Sequence, residues 1–73
     1  MQRVPVQSSA LQSVGYNPDN KTLELEFREN GDVWQYFSFP ASAYRRFMNA
    51  ESLGRFFVKK IKGKYVEEQV RYA

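Results

Sequence analysis

Seventy-three residues with a net charge of +3 make one small domain. A chain of this size buries only roughly 60% of the surface its unfolded form exposes, so it depends on a dense core, a crosslink, a metal or self-association. The sequence has no cysteine and no histidine, which excludes disulfides, an ordinary structural zinc site and Ser-His-Asp or Cys-His hydrolase chemistry. Acid–base chemistry would fall to carboxylates or lysines with strongly shifted pKa values, and these need a deep pocket. The expectation is a non-enzyme without a cofactor, held together by six Phe, five Tyr and one Trp.

The N-terminal stretch MQRVPVQSSALQS has no apolar run of signal-peptide length, and no segment approaches transmembrane length. The chain therefore reads as soluble, cytoplasmic and free of membrane partners. A first strand is expected through residues 10–16, ALQSVGY. Leu11, Val14 and Tyr16 do not keep one alternation, so a bulge is expected near Ser13 or Gly15. Asn17-Pro18-Asp19-Asn20 is a run of turn formers that ends it.

In residues 22–28 Leu23, Leu25 and Phe27 alternate with Glu24, Glu26 and Arg28, the pattern of a strand with one wet face. Asn30-Gly31 suits a two-residue turn, which would pair Phe27 with Trp34 and Leu25 with Tyr36. Trp34 and Tyr36 then share the core face with the leucines. The other face carries Val33, Phe37 and Phe39 beside the glutamates. There Phe37 is either covered by the N-terminal segment or a helix, or it faces a partner. Glu24 and Glu26 read as alternating acids on a wet strand, not as a metal or acid–base pair.

Helical spacing begins after Pro40, which suits a first turn. Tyr44, Phe47 and Met48 form a core stripe. Glu51-Ser52 breaks the pattern, and Ser52 can cap a second helix through residues 53–65, where Leu53, Phe57 and Ile61 repeat and Gly63 marks an end. The tail VEEQVRYA continues as helix or frays, with Val66, Val70 and Tyr72 available to dock it. The resulting architecture is α+β: a three-stranded antiparallel β-meander packed on one face by two C-terminal helices.

Charge is unevenly spread. Residues 40–66 hold Arg45, Arg46, Arg55, Lys59, Lys60, Lys62 and Lys64 against Glu51 alone, +6 for the segment and −3 for the rest. On an α-helical wheel Arg55, Lys59 and Lys62 fall within roughly 60° of one another, opposite Leu53, Phe57 and Ile61. Such a stripe is either a solvated face that keeps the protein soluble or a footprint for a polyanion. No glycine-rich phosphate loop accompanies it.

The order of these features resembles a known family. Ser8-Ser9, Gly15-Tyr16, the acid-alternating strand ending at Phe27, Gly31, Trp34-Gln35-Tyr36, Pro40, AESLGRFF and IKGKY are similar to the KTSC domain over roughly residues 6–66. That module is named for the C-terminus of some lysyl-tRNA synthetases and also occurs as a stand-alone bacterial or phage protein. Trp34 stands where the family usually has the first tyrosine of a Tyr-x-Tyr pair, Phe39 replaces a small aliphatic, and Val58 replaces a polar residue. The resemblance implies a single domain over 1–73 and suggests RNA as a partner. Read that way, the seven basic residues of 40–66 form a nucleic-acid-binding surface, with Phe37 and Tyr65 as stacking groups. The Trp34–Tyr36 pair is either core or a stacking platform. The alternative is a protein-interaction module, a regulator or inhibitor of a larger enzyme, with Phe37 and Phe39 as anchors. Either version is a monomer or a weak homodimer.

Overall fold

Strand pairing extends further along the chain than its apolar alternation. In the computed structural model, which describes residues 1–71, five antiparallel strands lie in chain order. They are β1 (Val4–Pro5), β2 (Leu11–Asn17), β3 (Thr22–Phe27), β4 (Val33–Tyr36) and β5 (Glu67–Arg71). The expected three-stranded meander is the central β2–β3–β4, and the count of three is corrected to five by an added strand at each edge. β1 has only two residues, both exposed. β5 is EEQVR, a strand with no apolar face and hence no alternation to read. The tail is therefore strand, not helix. Val66 and Val70 remain exposed (75% and 44%) instead of docking, and Tyr72 lies outside the described residues.

The β3–β4 hairpin differs from the expected register by two residues. Leu23 pairs with Tyr36 and Leu25 with Trp34. The connection is longer than Asn30-Gly31: the Phe27 amide donates to Asp32 (2.9 Å), and the Gly31 amide donates back to the Phe27 carbonyl (2.9 Å). Gly31 takes φ +77°, and the Asn30 side chain accepts from the Asp32 amide. A shift of two residues keeps every side chain on its face. Trp34 and Tyr36 thus lie with Leu23 and Leu25 as expected. The bulge in β2 falls between Leu11 and Ser13.

Two helices cover the inner face of the sheet. α1 (Ala41–Met48) starts after Pro40 and buries Ala43 and Phe47. α2 (Leu53–Phe56) is capped by the Ser52 hydroxyl, which accepts from the Arg55 amide at 3.1 Å. It then widens into a π-helical segment, Phe57–Ile61, closed by a bond from the Lys62 amide to the Phe57 carbonyl five residues back (2.8 Å). Gly63, at φ +73°, ends it in a conformation that L side chains resist.

Phe39 sits fully buried where sheet and helices meet, with Leu11, Leu23, Leu25, Tyr36, Phe47 and Ile61. Its expected place on the outer sheet face as a docking anchor is corrected. Ser38 adopts φ +56°, which breaks the strand alternation and turns the next side chain inward. The Phe39 amide donates to Lys21 (2.9 Å), and its carbonyl accepts from the Tyr16 hydroxyl (2.6 Å). Tyr16 and Tyr65 meet its ring edge-on, with centroids at 6.4 and 4.9 Å.

The outer sheet face is a connected polar layer. Arg3 bonds Glu24 and, through Nε, the Ser13 hydroxyl (2.9 Å). The Ser13 hydroxyl donates to Glu26 (2.7 Å), Arg71 pairs with Glu26 (2.7 Å), and Gln35 donates to Glu24 (2.8 Å). Glu24 is only 6% exposed, so these partners are what make its burial tolerable. The segment leading into β1 lies so close over Gly15 that an added Cβ would meet the Gln2 carbonyl at 2.9 Å. Arg28 ties down the neighbouring segment by donating to the Ser8 and Leu11 carbonyls and to the Gln12 side chain.

Two consequences are measurable. Phe39→Ala should cost about 3–5 kcal/mol in urea unfolding, and Phe37→Ala less than half as much; equal costs would contradict the inward placement of Phe39. The Ser13 hydroxyl, with Arg71 and Arg3 adding to it, holds the Glu26 carboxyl below its ordinary 4.5, against the opposing effect of burial. A carboxylate with a depressed folded pKa stabilises the fold above its unfolded pKa, and that contribution disappears as pH falls through the folded value. Glu26→Gln should therefore be less stable than the parent at pH 7, with the difference shrinking below about pH 4.5. A difference independent of pH would rule out this role for the Glu26 charge.

Candidate nucleic-acid interface

The basic residues of 40–66 are distributed over α1, α2, the π segment and the turn beyond it, and all are exposed. Two adjoining clefts gather four of them. One, of about 240 Å³, lies beside the α1–α2 turn and is lined by Ala50, Glu51, Ser52, Arg55, Phe56, Lys59 and Lys60, three cations against one acid. The second, of about 280 Å³, is lined by Phe39, Ala43, Arg46, Phe56, Lys60 and Tyr65. Phe56 and Lys60 belong to both, so Arg46, Arg55, Lys59 and Lys60 surround an aromatic partition. Phe56 itself leans on Phe47, with ring centroids 5.3 Å apart, and this fixes the wall from behind.

The stripe Arg55–Lys59–Lys62 expected from an α-helical wheel is broken. The π segment holds one more residue per turn than an α-helix. Lys59 stays with Arg55, but Lys60 joins them and Lys62 leaves. Lys62 reaches a third cleft, of about 330 Å³, with Phe27, Trp34, Tyr36 and Phe57 as apolar walls and Glu29, Asp32 and Glu67 around it. Arg45 and Lys64 line none of the three clefts. Arg45 lies on α1 with its carbonyl accepting from the Asn49 side chain (2.8 Å).

The aromatic candidates divide the same way. Tyr65 is half-buried and packs its edge on Phe39, leaving part of its ring at the second cleft. Phe37 is half-buried at the start of β5, where its amide donates to the Val66 carbonyl (2.9 Å). Tyr36 is 2% exposed and Trp34 half-buried, on the sheet face that the helices cover. A stacking platform on an open sheet is therefore not what this pair provides. Phe56 was not singled out by the sequence; the apolar stripe ran through its neighbour Phe57, and the adjacent position faces a different cleft.

The sequence profile of the KTSC domain matches residues 7–65. The chain belongs to the KTSC domain family. A crystal structure of a KTSC domain protein from Yersinia pestis superposes with a TM-score of 0.91 at 48% identity, covering 96% of this chain and 97% of the other. A protein from Stutzerimonas stutzeri strain A1501 is 42% identical over 57 residues, 78% of this chain and 79% of its own length. A lysine–tRNA ligase from Nostoc sp. is 36% identical over 64 residues, which is 88% of this chain and 11% of the ligase. The KTSC domain is thus both a near-complete small protein and a minor part of a synthetase. No helix among the described residues is long and apolar enough to cross a membrane.

Burial, with the Glu67 charge adding to it, pushes the Tyr36 phenol far above its ordinary 10.0, and burial also raises Tyr44. In an alkaline titration read at tyrosinate absorbance, Tyr36→Phe should leave the amplitude near pH 10 intact. Its missing phenol should show only in the step that accompanies alkaline unfolding. Loss of amplitude near pH 10 would mean that neither burial nor the Glu67 charge holds the Tyr36 phenol protonated.

Proposed function

We propose that this KTSC domain is a non-catalytic module that binds RNA through the helical face formed by α1, α2 and the π segment. The observation that carries the reading is the convergence of Arg46, Arg55, Lys59 and Lys60 on two clefts partitioned by Phe56. Guanidinium and ammonium groups pair with phosphate oxygens and release condensed counterions. Half-exposed aromatic rings such as Tyr65 and Phe56 offer π faces to unstacked bases. The presence of a similar segment in lysine–tRNA ligases supports RNA over other polyanions. A protein-docking face built on Phe37 and Phe39 is less favoured, because Phe39 belongs to the core.

The test is equilibrium binding of labelled tRNA, single-stranded RNA and single-stranded DNA at two salt concentrations. Four phosphate contacts to a single strand give a salt slope near −3, so affinity should fall roughly fiftyfold between 50 and 200 mM salt. Arg55→Glu/Lys59→Glu/Lys60→Glu should abolish binding while keeping the parent's circular dichroism. Lys62→Gln should change it far less. Equal losses from the two variants, or no binding by the parent at 50 mM salt, would overturn the assignment.

A further inference from the structure

The third cleft differs in chemistry from the two basic ones. Its walls are the rings of Phe27, Trp34, Tyr36 and Phe57, with Phe57 meeting Phe27 and Tyr36 edge-on at 5.3 and 5.8 Å. Glu29, Asp32 and Glu67 outnumber Lys62 around it, so the cleft carries an excess of negative charge. Tyr36 is 98% buried, given its 2% exposure, yet its hydroxyl has no hydrogen-bond partner among the described residues. Among the described residues no buried side-chain polar atom is left both unpaired and sealed from solvent. The remaining exposure of Tyr36 therefore includes its hydroxyl, and the opening it has is this cleft. Buried polar groups are normally paired, so a hydroxyl without a protein partner in the lining of an aromatic, acid-rimmed cleft is an acceptor suited to a donor.

The geometry points to a binding site for a short primary alkylammonium ion, its chain against Phe27, Trp34 and Phe57 and its charged head between the Tyr36 hydroxyl, Glu67 and Glu29. An ammonium group is all donor, matching a phenol oxygen and carboxylates that accept. The aromatic rings attract the same charge through their electron-rich faces. A carboxylate ligand would meet the acids, and a neutral alcohol would forgo both the ring and the carboxylate terms. Lys62 repels a cation, so it sets the affinity without supplying a contact. This site is independent of the RNA reading, because none of Arg46, Arg55, Lys59 and Lys60 borders it.

Trp34 is the only tryptophan and lines the cleft, so its fluorescence reports occupancy directly. The experiment titrates the full-length protein with butylamine, butane-1,4-diamine and Nα-acetyl-lysine amide at low salt, with 1-butanol and butyrate as controls. The amines should give a saturable change that the controls do not. If the diamine binds tightest the source is a free polyamine, and if the lysine amide does it is a protein side chain. Losing a hydrogen bond to a charged group costs about tenfold in affinity, so Tyr36→Phe and Glu67→Gln should each weaken binding by about that factor. Lys62→Gln should tighten binding, and Arg55→Glu/Lys59→Glu/Lys60→Glu should leave it unchanged. Butanol matching the amines, or amine binding indifferent to both Tyr36→Phe and Glu67→Gln in folded protein, would overturn the proposal.

Discussion

The domain is organised around the inward turn at Ser38-Phe39. A left-handed residue at the end of β4 stops the strand and delivers an aromatic ring to the centre of the core. The same residue's backbone is held at both ends, by Lys21 in the β2–β3 turn and by the Tyr16 hydroxyl. Helix α1 begins two residues later, so the approach of the helical layer to the sheet is set by one peg. Tyr16 extends the arrangement by stacking on Tyr44 of α1, with centroids 4.5 Å apart. A chain without cysteine thus reaches a defined core by interlocking rings, each worth more than its area alone when it meets a neighbour edge-on or offset.

The two sheet faces meet the small-domain problem differently. The inner face is apolar and covered by helices. The outer face is covered by charge, with Arg3 and Arg71 reaching from the two edge strands toward Glu24 and Glu26 on the central strand β3. Both short edge strands gain a side-chain tie to the middle of the sheet. A residue pair such as Arg3 and Glu24, with side chains 23% and 9% exposed, contributes far more than an exposed pair would, because it leaves no buried acceptor unmet.

Much of this was legible in the residues. Alternation over Leu23–Phe27 and the i, i+3, i+4 spacing over Tyr44–Met48 placed β3 and α1, since each has one apolar face, although the acid face of β3 is covered as well. The face of Trp34 and Tyr36 was legible even though their register was not, because the hairpin loop differs by an even number of residues. β1 and β5 were not legible: one is too short to show a period, and the other is exposed on both sides. Phe39 was misplaced because a positive φ at a serine leaves no trace in an alternation pattern. In the candidate site, the basic residues were visible as a set. Their grouping was not, since it depends on a π turn that an α-helical wheel cannot represent.

That π segment gives the charge pattern a phase. An extra residue in one turn rotates everything after it by about 100° relative to an uninterrupted α-helix. Lys60 lies within the widened turn and Lys62 just past it on extended backbone, and the two serve clefts of opposite character. Insertion or deletion of one uncharged residue between Phe57 and Ile61 would change which lysine borders which cleft while leaving the net charge at +3. In this domain, then, which cleft a lysine serves is set by the winding and the end point of the helix as much as by its place in the sequence.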